Sequence, residues 1–404
     1  MYYIVVTPFF PSPESWRGAY VLDQVKAIQR NSDYDILVFH PQNSSYKEES
    51  YTIEGIKVFR FHFRSSPSFL FNGIFNSSNE KRFIKAFRRV FGTFTSVVSS
   101  QIAFVHCHTS PYAIYGFALK KLAPQAKVLV QHHDLDPFSI RTGFLAHWKP
   151  NALFRAKNTL DLINRADLNI CISTPCKNNL LAFPKARPDE SYQGYLQALR
   201  PLEGLPHITN KNIYILYNGV DTSIFSPKNK GDSIYRIGCI SNFQDIKSHI
   251  TLIKAFEVLI KDGHNNMRLS LLGSGETRPM CEDYIRSHAL SDYVEWPEEV
   301  SHNELPEYYH TLDIFVLPSI FEGFGCVYTE AYACGIPFIG VYNQGAAECI
   351  EPNEQDKWLI HAFDYRKLAE LITNHYKERY TQHLCKPYDI NLLISQYLRF
   401  ICSL

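Results

Sequence analysis

The densest chemistry in this chain lies between Leu317 and Pro337, in the run Leu-Pro-Ser-Ile-Phe-Glu-Gly-Phe-Gly-Cys-Val-Tyr-Thr-Glu-Ala-Tyr-Ala-Cys-Gly-Ile-Pro. An apolar run closes at Pro318, a loop carries Glu322, and Gly323 and Gly325, on either side of Phe324, lead straight into a helical stretch. Glycines at such a point let a ligand approach the backbone, and a helix start offers unpaired amides to a phosphate. Glu330 falls about one turn inside that helix, where a carboxylate can accept two hydrogen bonds from a ribose diol. Taken alone, it is equally a charge that favours a helix N-terminus. A second segment, Arg236 to Lys247, passes from a β-branched run through Asn242 and Phe243 to a lysine just before a helical period. That position suits a diphosphate, although an isolated lysine there is also ordinary solvated surface.

Histidines gather at two further run ends. One run ends in His106-Cys107-His108, and another in His132-His133-Asp134-Leu135-Asp136. Gly18 stands between a proline-rich loop (Pro8 to Pro13) and a helix bearing Tyr20, Val21 and Gln24. Imidazoles and carboxylates in this number could bind a metal. No His-x-x-x-His pair or third ligand cluster completes such a site. Satisfied core histidines are the default reading for His106 and His108.

The elements that must position these residues follow from the apolar runs at 2–7, 35–39, 104–108, 127–131, 168–173 and 213–217, then 235–241, 268–273, 312–317 and 337–341. Short β-branched runs separated by helical periods predict parallel sheets covered on both faces, an α/β fold with two doubly wound domains. The polar stretch 226–233 reads as a linker. We therefore expect an N-terminal Rossmann-like domain over 1–225, a second over 226–385, and a final helix within 386–404 that returns to the first. The segment 184–210 reads as an insertion. Such domains bind ligands at the carboxyl ends of their strands, here in a central cleft. Dehydrogenases, epimerases and sugar transferases share that architecture, so function has to come from the site.

Composition narrows the partners. The 404 residues are 45% hydrophobic and 20% charged with a formal net charge of +1, which gives no global case for nucleic acid. The ten cysteines include no Cys-x-x-Cys pair and read as buried thiols of a reducing compartment. The N-terminus reads as a strand and not as a signal peptide, and no apolar run reaches the ~18 residues of a membrane span. A cytoplasmic protein is expected. Residues 57–92 nevertheless hold eight Lys or Arg, one acid and nine Phe. Phe83, Phe87, Val90, Phe91 and Phe94 form one helical stripe, flanked by Lys81, Arg82, Lys85, Arg88 and Arg89. The stripe reads either as core or as an interfacial helix, and the basic excess favours peripheral contact with the anionic inner face of a membrane, or a lipid-linked acceptor.

The 317–337 run resembles the glycosyltransferase family 4 pattern of two glutamates separated by seven residues around a Gly-x-Gly turn. The segments at 236–247, Leu271-Leu-Gly-Ser-Gly275 and Tyr217-Asn-Gly-Val-Asp221 match the family in order. The resemblance implies the GT-B fold and a retaining transferase that takes a nucleotide-diphosphate sugar as donor substrate, without a metal or other cofactor. Asn242, Lys247, Gly323, Phe324, Gly325, Glu330 and Gly18 would hold the donor. Glu322 would serve the donor sugar or its oxocarbenium-like transition state, and His133, with His132 as rival, would reach the sugar from the first domain. Where many members carry an arginine this chain has Asn242, and where the family often has two glycines it has Arg17-Gly18. The acceptor is expected to be a saccharide, lipid-linked or a polysaccharide precursor. A nucleotide-sugar 2-epimerase and a catalytically degenerate partner subunit fit the same architecture.

Overall fold

A computed structural model describes residues 1–13, 15–42, 49–66, 74–92, 99–133, 150–182, 208–228 and 230–404, with only the backbone of 42, 49, 150–156 and 182. The expected insertion up to residue 207, together with Phe94, Asp134 and Asp136, lies outside the described residues. The chain forms two compact units, Met1–Tyr217 with Asn391–Leu404, and Asn218–Ile390. The division falls at Tyr217/Asn218, so the polar stretch 226–233, read from sequence as the linker, belongs to the second unit.

The first unit is built on an eight-stranded sheet in the order β3-β4-β2-β1-β5-β6-β7-β8. Its strands are β1 (Tyr2–Val6), β2 (Asp35–Gln42), β3 (Glu49–Ile53), β4 (Ile56–His62), β5 (Ile102–His108), β6 (Lys127–His132), β7 (Leu168–Cys171) and β8 (Ile213–Ile215). All neighbours are parallel except the β3–β4 hairpin. The connecting helices are α1 (Ala19–Arg30), α2 (Asn76–Phe91), α3 (Ala113–Lys120), α4 (Pro150–Arg165) and α5 (Thr174–Ala182). Strands β1, β5 and β6 are buried along almost their whole length, as expected for a sheet covered on both faces. The hairpin was not expected from the sequence. Glu54 and Gly55 turn it with φ of 47° and 82°, and the strand Ile-Lys-Val-Phe-Arg-Phe-His extends the sheet beyond β2.

That hairpin decides the fate of the phenylalanine stripe. Phe83 and Phe87 of α2 are fully buried against Phe39, Phe59, Phe61 and Phe63, while Val90 and Phe91 pack partly buried beside them. The reading of this stripe as a membrane-inserted face is therefore corrected: β2 and β4 supply the apolar partner that the stripe needs. Burial of each ring is worth roughly 1.5–3 kcal/mol. Lys81, Arg82, Lys85, Arg88 and Arg89 remain exposed on the opposite side. No helix among the described residues is long and apolar enough to cross a membrane.

The second unit has a six-stranded parallel sheet in the order β11-β10-β9-β12-β13-β14. Its strands are β9 (Tyr235–Ile240), β10 (Met267–Leu272), β11 (Val294–Glu295), β12 (Ile314–Val316), β13 (Phe338–Val341) and β14 (Leu359–Ile360), and its helices α6 (His249–Lys261), α7 (Arg278–Ser287), α8 (Leu305–Tyr309), α9 (Cys326–Ala333), α10 (Gln355–Trp358) and α11 (Tyr365–Glu378). The last helix, α12 (Ile390–Ile401), joins the first unit from Asn391 onward. There the Tyr397 and Tyr3 hydroxyls lie 2.9 Å apart. All ten cysteines are unpaired, and most are buried.

Candidate active site

Strand order reverses twice, between β2 and β5 around β1 in the first unit and between β10 and β12 around β9 in the second. Ligands of doubly wound sheets bind at such reversals, outside the carboxyl ends of the strands. In the second unit the loops leaving β9 and β12 carry Asn242, Lys247 and Glu322. A backbone hydrogen bond from Ile320 N to Ile246 O, 2.9 Å, ties these loops together. Lys247 Nζ donates to Glu322 Oε2 at 2.5 Å, with the two side chains only 19% and 15% exposed. The Ser319 hydroxyl donates to the same oxygen at 3.3 Å. Asn242, on the same loop as Lys247, is exposed.

Gly325 caps α9 in the left-handed region, φ 81°. A Cβ there would meet the Tyr328 ring at 2.6 Å and Glu322 Cγ at 3.0 Å, so glycine is required both by conformation and by the proximity of Glu322. The Glu322–Phe324 segment is clamped from the far side by the loop after β13. Gln344 accepts from Glu322 N at 2.9 Å, and Gly345 N donates to Glu322 O at 3.2 Å. A Cβ on Gly345 would fall 2.3 Å from Gly323 O. Glu330 is 6% exposed, and Tyr309 donates to its Oε2 at 2.9 Å. Burial, then the Glu330 charge, raises the Tyr309 pKa well above the ordinary phenol value, so the phenol remains a donor. Phe324 is buried, with its ring 5.8 Å from that of Tyr388. Its side chain is thus packing, and only its backbone is left for a ligand.

The two turns matched further along are structural at the backbone. Gly273 and Gly275 have φ of 138° and 148°, and a Cβ on either would collide with the carbonyls of Ser241 and Phe243. A Cβ on Gly219 would fall 2.6 Å from Ile390 Cα.

In the first unit, Gly18 starts α1 with φ 92°, and a Cβ there would press on the Phe9 carbonyl at 3.1 Å. Phe9 in turn meets His133, which lies one residue past β6, with centroids 5.7 Å apart, and Tyr20 of α1 meets the same ring at 5.2 Å. His133 Nε2 and His108 Nδ1 share a hydrogen bond of 2.7 Å. Burial first, then the charges that His106 and His132 would carry, lowers the His133 pKa to about 3. His132, the rival, is consumed inside: Ser110 Oγ lies 3.0 Å from its Nδ1 and Asn169 Oδ1 3.1 Å from its Nε2. His133 is the histidine left at the strand end. No group of three or more His, Cys, Asp or Glu suited to a metal occurs among the described residues. Sequence reasoning missed Gln344, Tyr309 and Ser319, whereas His106 and His108, read as core, are both fully buried. Gly345, four residues past the apolar run 337–341, was the available signal for the Gln344 clamp.

Two family models match this chain. Residues 17–189 fit the one described as Glycosyltransferase Family 4, and residues 221–391 the one described as Glycosyl transferases group 1. The chain belongs to the family 4 glycosyltransferases. Similarity to solved structures agrees on the fold. The Anabaena protein Alr3699/HepE, crystallised in complex with UDP and glucose, superposes with a TM-score of 0.67 at 16% identity over 100% of both chains. The architecture is thus GT-B. The D-inositol 3-phosphate glycosyltransferase of Nocardiopsis dassonvillei is 31% identical over 144 residues, 31% of this chain and 34% of that protein. The capsular polysaccharide biosynthesis glycosyltransferase CapM of Staphylococcus aureus is 28% identical over 142 residues, 34% and 35% of the two chains. The chain spans about a third of the length of these curated relatives. In this family 4 glycosyltransferase, Lys247, Glu322, Gly325 and Glu330 form one constellation of the second unit, whereas Gly18 and His133 form one of the first.

Proposed function

We propose that this glycosyltransferase moves a sugar from a nucleotide-diphosphate donor, with retention, onto a saccharide acceptor of polysaccharide-precursor type. The observation that carries the reading is the ion pair of Lys247 and Glu322 at the mouth of the glycine-led helix that bears Glu330. Lys247 and the α9 N-terminus offer positive charge to a diphosphate leaving group. Glu330 takes the ribose, its other oxygen already fixed by Tyr309. Glu322 takes sugar hydroxyls or offsets charge that develops at the anomeric carbon. His133 is the first unit's hydrogen-bonding group for a substrate hydroxyl. The UDP bound in the Anabaena structure makes UDP the first nucleotide to try. Neither a nucleotide-sugar epimerase nor a degenerate partner subunit is favoured, since relatives of this chain carry glycosyltransferase names.

A thermal-shift panel of UDP, GDP and ADP tests the donor site, because ligand binding raises the unfolding temperature by mass action. A melt unmoved by all three at millimolar concentration would sink this reading. The cationic diphosphate site also predicts that turnover survives excess EDTA. Activity lost to EDTA and restored by Mg²⁺ or Mn²⁺ would assign a metal to the reaction. Cytoplasmic action at an anionic membrane surface belongs to the same proposal in a reduced form, in which the exposed Lys81, Arg82, Lys85, Arg88 and Arg89 supply electrostatic contact without insertion. Binding to anionic liposomes should then fall steeply with salt. Wild-type protein that ignores such liposomes at low salt would end that part.

A further inference from the structure

We propose that Gln344 is a positioning residue for the transfer: its side-chain amide fixes the backbone from Ile320 to Glu322, so that the Glu322 carboxylate meets the donor sugar already in place. The inference rests on the role proposed for Glu322. Gln344 stands three residues past β13 and is 3% exposed, and its amide reaches the loop that follows β12. Its Oε1 accepts from Glu322 N at 2.9 Å, and its Nε2 donates to Ile320 O at 3.3 Å. Only one setting of the amide serves both contacts, because an N–H must meet the oxygen and a carbonyl must meet the nitrogen.

The remaining backbone groups of these two residues are held as well. Ile320 N donates to Ile246 O at 2.9 Å on the loop after β9, and Gly345 N donates to Glu322 O at 3.2 Å. β9 and β13 are the two neighbours of β12, so the Glu322 loop is laced to the loop on either side of it. In the carboxylate, Oε2 takes Lys247 at 2.5 Å and Ser319 at 3.3 Å. Among the described residues no hydrogen bond reaches Oε1, which is the oxygen left for a sugar hydroxyl or for developing charge. Without the Gln344 amide, Glu322 N and Ile320 O would lose their partners in a loop where Ser319 and Ile320 are 0% and 4% exposed. Buried backbone groups seldom stay unpaired. They would recover partners by shifting the loop, and Glu322 would shift with it. Gly345 closes one direction, since even a Cβ there would fall 2.3 Å from Gly323 O. A misplacement of about 1 Å is enough to cost about a hundredfold in rate.

The test is a double-mutant cycle on the full chain, made from Gln344→Met, Glu322→Gln and the two together, with the sugar nucleotide that the wild type turns over. Methionine keeps the length and volume of glutamine and removes both hydrogen bonds. Gln344→Met should lower kcat about ten- to a hundredfold and keep the affinity for bare UDP, GDP or ADP, whichever the wild type binds, within about threefold. In the Glu322→Gln background the same substitution should change kcat by less than about threefold, because the group it positions is gone. Equal losses in the two backgrounds, or full turnover in Gln344→Met, overturn the proposal. Amide hydrogen exchange on the wild type needs no variant: Glu322 N–H should exchange at least about a hundredfold more slowly than an open amide. An unprotected Glu322 N–H overturns the proposal too. Full turnover in Glu322→Gln would instead refute the role of Glu322.

Discussion

Glu322→Gln changes one oxygen for an amide and removes one charge, at a site where two opposite effects on ligand affinity and turnover can be separated. In the structure Lys247 Nζ lies 2.5 Å from Glu322 Oε2, and both side chains are mostly buried. Two charges a few ångströms apart attract by about 4 kcal/mol at an effective dielectric of 20. Desolvation of both groups offsets much of that, leaving about 1.5–3 kcal/mol, the range for hydrogen bonds to charged groups. A diphosphate that recruits Lys247 must exchange this contact for its own and must also approach the carboxylate. The glutamine keeps the shape but neither competes as strongly nor repels. We expect bare UDP, or whichever nucleoside diphosphate the wild type binds, to bind Glu322→Gln about 1–2 kcal/mol more tightly, about 5- to 30-fold. Turnover of the sugar nucleotide should fall by about 10²–10³, as on removal of a group aimed at developing charge. Calorimetry gives the first number and steady-state kinetics the second. Equal or weaker affinity of the variant for the bare diphosphate would show that the ion pair does not compete with the ligand.

Glu330→Gln should weaken nucleoside diphosphate binding by about 1–3 kcal/mol, and unchanged calorimetry would remove Glu330 from the site. Phe87→Ala should cost about 3–5 kcal/mol in the first unit's unfolding free energy, because the ring is fully buried 4.7 Å from Phe39 and 5.7 Å from Phe91; a loss under 1 kcal/mol would return the stripe to the surface. Acid should destabilise the fold: burial holds His106, His133 and His249 at about 3 and His40, His132 and His375 at about 4, all below the ordinary 6.5. Their stabilising contribution is complete above pH 6.5 and is lost as pH falls from there toward the folded values. Urea midpoints that stay flat from pH 7 to 5 would refute it.

Much of the fold was legible because its central strands are buried on both faces and read as unbroken apolar runs. Each of the ten predicted runs overlaps a strand, from Tyr2–Val6 to Phe338–Val341. What escaped was at the sheet edges. β11 and β14 have two residues each and leave no pattern to detect. The β3–β4 hairpin escaped for another reason. Val58, Phe59 and Phe61 are buried but Lys57 is exposed, so the strand alternates imperfectly and its cations drew attention to charge. A domain boundary placed at the most polar stretch was displaced in the same way. Polarity marks exposure, and residues 226–228 and 231–233 are exposed within the second unit.

The site shows the same division between what neighbours in sequence can encode and what only the sheet brings together. Glu322, Gly325 and Glu330 were readable because one strand–loop–helix carries them all, and Gly325's φ of 81° is the kind of demand that leaves a visible glycine. Lys247 was readable as a cation at a helix start, but its pairing with Glu322, 75 residues away, follows only from β9 and β12 being neighbours across the strand reversal. Nothing local marks Tyr309, and only the neighbouring Gly345 marks Gln344, since each acts on a partner delivered by a different strand. The phenylalanine stripe makes the point most sharply. An amphipathic helix specifies that one face must leave water, and the periodicity of α2 is the same whether that face meets lipid or a sheet. The choice was made by Phe39, Phe59, Phe61 and Phe63 on β2 and along β4 and the residue just past it, an apolar surface of matching size that would itself have been exposed had α2 turned outward. A stripe and an uncovered sheet face within one folding unit satisfy each other before either can recruit a membrane, and the cations of α2 are left outside because that is the only side on which they keep their hydration.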